Sequence, residues 1–166
     1  MKIAINGFGR IGRLVYRLME EDDFFDVVAI NDLSSSEELA YLLRYDTNHR
    51  TYDKDITFDE EGIIVDGKKT KVYSEMDPSN LPWGELGIDL VFECTGKFTK
   101  KEDANKHILA GAKKVLISAP GKGEMKTIVY NVNDDILTSD DVIVSAASCT
   151  TNCLAPIVKV LDDNFG

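Results

Sequence analysis

Long hydrophobic runs, basic clusters and paired cysteines are all missing from this chain of 166 residues. No apolar stretch approaches the ~20 residues that a membrane-crossing helix needs. No charged-then-apolar segment opens the sequence in the manner of a secretory signal, so a cytoplasmic location without a membrane partner is the expectation. Lysine and arginine number 19 against 29 acidic residues, a formal charge of −10. That balance disfavours nucleic acid as a partner, although backbone N–H groups and one arginine suffice to hold a small anion. The three cysteines, Cys94, Cys149 and Cys153, form neither a disulfide framework nor a metal-ligand spacing. His49 and His107, the only histidines, stand far from them in sequence, and no metal site is expected. What remains is an ordinary globular composition, 43% hydrophobic and 29% charged, able to bury a core as one domain.

The chain is organised around Asn6-Gly7-Phe8-Gly9-Arg10-Ile11-Gly12, which follows the apolar run Ile3-Ala4-Ile5 and opens a helically spaced segment. This is the strand, glycine turn and helix start of a dinucleotide fold. Gly7 supplies backbone angles that a side chain forbids, Gly9 admits a pyrophosphate, and Gly12 lets helix pack on strand. Unpaired N–H groups at the helix start attract the anion. Ile11, Leu14, Val15 and Leu18 predict an amphipathic helix over 10–20, with Arg13 and Arg17 on its solvated side. Val27–Ile30 predicts a buried strand ending in Asn31-Asp32. Asp32 lies about 20 residues beyond the glycine turn, where a Rossmann domain carries the acid that accepts the ribose hydroxyls. Its charge also repels a 2′-phosphate, favouring NAD over NADP.

Ser35 and Glu38 form a capping-box pattern that starts a second helix through Leu43. Residues 45–55 carry no regular pattern. Three short strands between about 56 and 73 predict a small antiparallel meander inserted into the βαβ order. Asp77-Pro78 and Leu81-Pro82-Trp83 read as loop. Parallel-sheet logic resumes with Asp89–Cys94, ending in Thr95-Gly96. Thr99 and Glu102 suggest a second capping box for a helix ending near Gly111. Strands follow at 115–118, 127–130 and 142–145. The fold class is therefore α/β, a Rossmann-type doubly wound, mostly parallel sheet. Gly7–Gly12, Asp32, Thr95-Gly96, Ser118-Ala119 and Ser148-Cys149 all follow strand ends and should share one edge.

The last segment, Ala146-Ala147-Ser148-Cys149-Thr150-Thr151-Asn152-Cys153-Leu154-Ala155-Pro156, is a strand end, a polar break and a helix over about 149–165. A helix N-terminus favours the thiolate, which makes Cys149 a candidate nucleophile. Cys153 and Cys94 read as inert buried thiols. Pro156 should loosen the first turns, and Gly166 suits a C-cap.

These residues resemble the phosphorylating glyceraldehyde-3-phosphate dehydrogenase family along the whole chain, most specifically over Ala147–Pro156. The resemblance implies NAD as cofactor, with Arg10 and Ile11 at the pyrophosphate and Asp32 at the adenosine ribose. It sets Thr95, Gly96 and Phe98 beside the adenine and Ser118 and Ala119 near the nicotinamide ribose. Met76 stands where the family often has arginine and retains a backbone contact to adenine. Cys149 would attack glyceraldehyde 3-phosphate, and inorganic phosphate would cleave the resulting thioester to 1,3-bisphosphoglycerate, with Ser148 and Thr150 binding substrate or phosphate. The family is about twice this length, so residues 1–166 read as its NAD-binding half without the carboxy-terminal catalytic domain and its base histidine. On that reading the chain binds NAD without efficient turnover. The full-length enzyme is expected to be a homotetramer, and this chain is expected to self-associate through uncovered apolar surface. Erythrose-4-phosphate dehydrogenase would keep the same fold, cofactor and cysteine. A non-catalytic nucleotide-binding module would need only the glycine turn and Asp32.

Overall fold

A computed structural model describes residues 1–166. Eight strands form one sheet: β1 (Lys2–Asn6), β2 (Asp26–Asn31), β3 (Ile56–Asp59), β4 (Gly62–Val65), β5 (Lys68–Tyr73), β6 (Leu90–Glu93), β7 (Lys114–Ile117) and β8 (Ile143–Ser145). Their spatial order is β3-β4-β5-β2-β1-β6-β7-β8. All pairings from β5 to β8 across the sheet are parallel, and β3–β4 and β4–β5 are antiparallel. Five helices complete the chain: α1 (Arg10–Met19), α2 (Ser36–Arg44), α3 (Trp83–Leu86), α4 (Lys101–Leu109) and α5 (Cys149–Phe165).

Alternation along the central strand divides the core between the two faces of the sheet. Ile3 and Ile5 pack with Tyr16 and Met19 of α1 and Leu39 and Leu43 of α2. Ala4 faces the other layer, with Trp83 of α3, Ala104 of α4 and Val91 of β6. The arrangement is the doubly wound one expected from the order of elements. The capping box at α2 is complete: Glu38 N–H donates to Ser35 Oγ at 3.3 Å, and Ser35 N–H donates to Glu38 Oε2 at 3.1 Å.

Several local expectations are corrected by tertiary pairing. The antiparallel meander expected over 56–73 is present, and tertiary pairing adds that it extends the main sheet, because β5 pairs with β4 on one side and runs parallel to β2 on the other. The segment after Asp77 is not all loop. The Asp77 carboxylate accepts from Ser79 N–H at 3.1 Å and starts a 3-10 turn over Pro78–Asn80, followed by α3, which ends on Gly87 at φ +67°. Residues 127–130 form no strand. Thr127 makes one bridge to Ser145, and the Asn133 side chain then turns the chain by bonding Val129 N–H and the Thr127 carbonyl. The capping box at Thr99 and Glu102 does not form either. Lys100 is the N-cap without a side-chain bond, because Lys101 N–H donates instead to the Lys122 carbonyl at 2.9 Å.

The buried face of α1 is also rotated from the expected one. Ile11 and Leu18 are exposed, whereas Gly12, Tyr16, Arg17 and Met19 are buried. Arg17 is not solvated. Its Nε donates to the Leu43 carbonyl at 3.2 Å, and its Nη1 reaches the His49 and Arg50 carbonyls at 3.5 and 3.3 Å. Its guanidinium also lies 4.9 Å from the Tyr52 ring centroid. One buried side chain thereby pins much of the irregular 45–55 segment. Replacing it by methionine retains the stem and removes the donors. Arg17→Met is expected to lower unfolding stability by about 2 kcal/mol in urea titration and to make 45–55 the first protease-sensitive segment.

Candidate functional site

The carboxyl ends of the parallel strands are stitched together one residue beyond each strand. Gly7 N–H donates to the Asn31 carbonyl at 2.8 Å, Cys94 N–H to Asn6 at 2.7 Å, Ser118 N–H to Glu93 at 3.0 Å and Ala146 N–H to Ile117 at 2.9 Å. All the stretches expected at one edge of the sheet therefore leave it there.

Between the ends of β1, β2 and β6 lies a cleft of about 500 Å³. Gly7, Gly9, Asn31, Asp32, Met76, Thr95 and Phe98, all named from the sequence, line it. Phe8 and Gly12 are buried behind the turn, while Arg10 and Ile11 are exposed at the first turn of α1. Gly96 (exposed) follows Thr95 without lining the cleft, and Ser118 and Ala119 lie beyond β7, outside it. Asn6, Leu33, Glu75, Cys94 and Lys97 also line the cleft and had not been singled out as binding residues. Leu33 and Lys97 adjoin residues that were, so proximity in sequence was the available signal. Glu75 is brought in by Asn31, whose side chain accepts from its N–H at 2.8 Å and donates to its carbonyl at 2.9 Å.

Each glycine of the turn has its own geometry. Gly7 has φ +88°, and a Cβ there would lie 2.7 Å from Thr95 N. A Cβ on Gly12 would collide with the Gly7 carbonyl oxygen, whereas one on Gly9 meets nothing within 4 Å. Gly9 thus fronts open space on the cleft side. Asp32 closes the turn from β2. Its Oδ2 accepts from Phe8 N–H at 2.7 Å and its Oδ1 from Ser34 N–H at 3.0 Å. Each oxygen retains further acceptor capacity.

One of the cysteines departs from expectation. Cys153 is exposed, not buried, because no residue of α5 is buried. Cys94 sits just past β6 at the cleft floor; burial pushes its thiol up to about 11, against a hydrogen bond from Ser118. Cys149 is the exposed first residue of α5. The N-cap is Ser148, whose Oγ accepts from Thr151 N–H at 3.0 Å and bonds Thr150 Oγ1 at 3.0 Å. The turn before it holds Ala147 at φ +60°, a strained angle for a residue with a Cβ. Ser145 compensates for that strain. Fully buried, it donates to the Ala119 carbonyl at 2.7 Å and accepts from Gly121 N–H at 3.0 Å and Ala147 N–H at 3.1 Å. It joins the loop after β7 to the turn that presents Cys149. α5 itself continues through Pro156 to Gly166, which caps it at φ +80°.

Comparison with known proteins follows the same division. Residues 1–101 match the model of the NAD binding domain of glyceraldehyde 3-phosphate dehydrogenase, and residues 148–166 match that of its C-terminal domain. Glyceraldehyde-3-phosphate dehydrogenase of Clostridium pasteurianum is 56% identical over 165 residues, which cover 99% of this chain and 49% of the relative. Glyceraldehyde-3-phosphate dehydrogenase 2 of Bacillus subtilis is 56% identical over 167 residues, 100% of this chain and 49% of the relative. The protein of that name from Thermotoga maritima is 53% identical over 167 residues, 99% and 50% respectively. The chain spans about half the length of these curated relatives. The cofactor is NAD, and the cleft fits it: open space at Gly9, helix N–H groups beside it and an unsaturated carboxylate at Asp32.

Substitution at the two glycines should separate packing from ligand space. Gly12→Ala is expected to lower unfolding stability by about 2 kcal/mol through overpacking. Gly9→Ala should leave the thermal midpoint close to the parent value and weaken NAD binding in calorimetry.

Proposed function

The chain belongs to the glyceraldehyde-3-phosphate dehydrogenase family, and from that premise we propose that it holds NAD in the cleft beyond β1, β2 and β6 and carries in Cys149 the nucleophile of phosphorylating aldehyde oxidation. The observation that carries this reading is that one sheet edge bears both the glycine cleft and the cysteine helix start, the latter joined by Ser145 to the loop after β7.

In this reading Asp32 accepts the adenosine ribose hydroxyls while its bonds to Phe8 and Ser34 keep it oriented. The first-turn N–H groups of α1, with Gly9 and Arg10, receive the pyrophosphate; Ile11 adjoins it. Met76, Thr95, Gly96 and Phe98 border the adenine, and Ser118 and Ala119 the nicotinamide ribose. When bound, NAD supplies a hydride acceptor. The Cys149 sulfur adds to the carbonyl carbon of glyceraldehyde 3-phosphate. Once that carbon is oxidised the substrate is a thioester on Cys149, and inorganic phosphate cleaves it to 1,3-bisphosphoglycerate. Ser148 and Thr150 present hydroxyls beside Cys149 for substrate or phosphate. No imidazole adjoins Cys149 here: His107 is buried beside Glu93, and His49 lies in the segment held by Arg17. A general base for the hydroxyl proton of the adduct is thus missing. We therefore assign these 166 residues NAD binding with little turnover, in a cytoplasmic enzyme that is homotetrameric at full length.

Two measurements check this. In calorimetry the chain should bind NAD in clear preference to NADP, and Asp32→Ala should weaken NAD binding about tenfold or more and reduce that preference. Retained affinity and selectivity in the variant would sink the ribose assignment. Iodoacetamide near neutral pH should label Cys149 ahead of Cys94. Reaction at Cys94 should become appreciable only as pH approaches 11, where the folded-state thiol ionises. Because folding raises that pKa from an ordinary 9.0, the stability contributed by the protonated thiol is complete below pH 9. It is lost as pH rises from there toward 11.

A further inference from the structure

Beneath the cleft lies a chain of polar groups whose centre, Glu93 and His107, is buried and does not line it. The Glu93 carboxylate, 1% exposed at the end of β6, accepts four hydrogen bonds and faces no lysine or arginine. Its Oε1 takes Thr95 N–H at 2.8 Å and the Thr95 hydroxyl. Its Oε2 takes the Asn6 amide at 2.5 Å and His107 Nε2 at 3.1 Å. The other histidine nitrogen, Nδ1, accepts from the Trp83 indole N–H at 3.0 Å. An indole N–H only donates, so Nδ1 holds a lone pair and the ring proton sits on Nε2, aimed at Glu93. The His107 ring also meets the edge of Phe98, at 6.4 Å between centroids and 78° between planes. On the far side, Asn6 Oδ1 accepts from Asn31 Nδ2 at 2.7 Å, and Asn31 holds Glu75 through both of its amide atoms.

Every group in the chain has a single workable orientation. Asn6 cannot flip, because its oxygen is committed to Asn31. His107 cannot exchange tautomers, because Trp83 occupies Nδ1. Thr95 is held through both N–H and O–H. The ends of this network are therefore Thr95, Phe98, Asn6, Asn31 and Glu75, all of which line the cleft. We propose that Glu93 and His107 are positioning residues for cofactor binding: their fixed donor–acceptor polarity sets the adenine-side wall of the cleft from beneath. The inference rests on the reading of this cleft as the NAD site.

Glu93→Gln tests the polarity at nearly constant shape. An amide has one acceptor oxygen, and the carboxylate serves donors at both of its oxygens. If the amide oxygen faces Thr95, its NH2 meets the Asn6 NH2 and His107 Nε2–H; if it faces those, its NH2 meets Thr95 N–H. Calorimetry on the 166-residue chain should show NAD affinity lowered about tenfold or more. Adding Trp83→Phe frees Nδ1 to take the ring proton, so that Nε2 can accept from the introduced amide. The double variant should therefore bind NAD more tightly than Glu93→Gln alone, although Trp83→Phe by itself opens a core cavity. Folded Glu93→Gln with parental affinity, or a double variant weaker than the single, would overturn the proposal. Should Glu93→Gln fail to fold, the unsubstituted chain decides. Trp83 is the sole tryptophan, so its indole N–H gives one cross-peak in a 15N correlation spectrum. That peak should shift saturably with NAD, since coupling between cleft and network is reciprocal; a peak unmoved at saturation refutes it. Asp32→Ala separates the two readings. If it binds NAD like the parent, the cleft assignment has failed. If it is weak while Glu93→Gln is parental, only the positioning role has.

Discussion

The peptide at Gly7 is the constraint on which the molecule depends. The chain leaves β1 between β2 and β6, and it must bond Asn31 on one side while touching Thr95 on the other. A Cβ would lie 2.7 Å from Thr95 N, so the two flanking strands close around a residue with none. The Gly7 carbonyl in turn lies where a Cβ on Gly12 would sit, which brings α1 against the sheet at its first turn. Strand spacing, helix approach and the direction of the α1 N–H groups thus follow from one point of contact. Asp32 adds a second fastening by holding Phe8 N–H, so the turn is shaped from β2 as well as β6.

That closeness brings a problem of polarity. Side chains at the ends of β1, β2 and β6 are too near the cleft to be wholly apolar and too deep to be solvated. The solution is a saturated network in which Glu93, His107, Asn6 and Asn31 each meet a complementary partner. A buried carboxylate is tolerable when its lone pairs are met by donors, and a partly met one is worse than an apolar residue. Rigidity comes with saturation, because no member can rotate without orphaning another.

The cysteine end of the molecule is built on different terms. α5 buries no residue against the sheet; Leu154, Ile157, Val158 and Leu161 are all exposed. Its attachment is concentrated in the turn at Ala147, in Ser145 and in the Asn152 amide, which bonds the Ala146 and Ser148 carbonyls at 2.8 and 2.9 Å. Cys149 is therefore located by hydrogen bonds at the helix start and not by packing along the helix. Cys94, by contrast, is held by burial at the floor of the cleft, and its thiol is suppressed by the same desolvation.

Features written in consecutive residues were legible before any coordinates. The glycine turn, Asp32 at the end of the next strand, the Ser35–Glu38 box and Cys149 at a helix start are each decided by a few neighbouring backbone and side-chain groups. The doubly wound order of elements follows from their periodicity. What the sequence left undecided are pairings between distant segments. Arg17 reads as a surface residue until the carbonyls of Leu43, His49 and Arg50 gather around it. The strand expected at 127–130 and the box at Thr99–Glu102 yield to stronger partners at Asn133 and Lys122. Cys153 reads as buried until α5 proves to have nothing packed upon it. Glu93, His107 and Trp83 are unremarkable in the sequence, and they acquire meaning only where three elements meet. Local chemistry specifies angles and caps; the burial of a polar group depends on which acceptors the rest of the chain brings to it, and only the tertiary structure decides that.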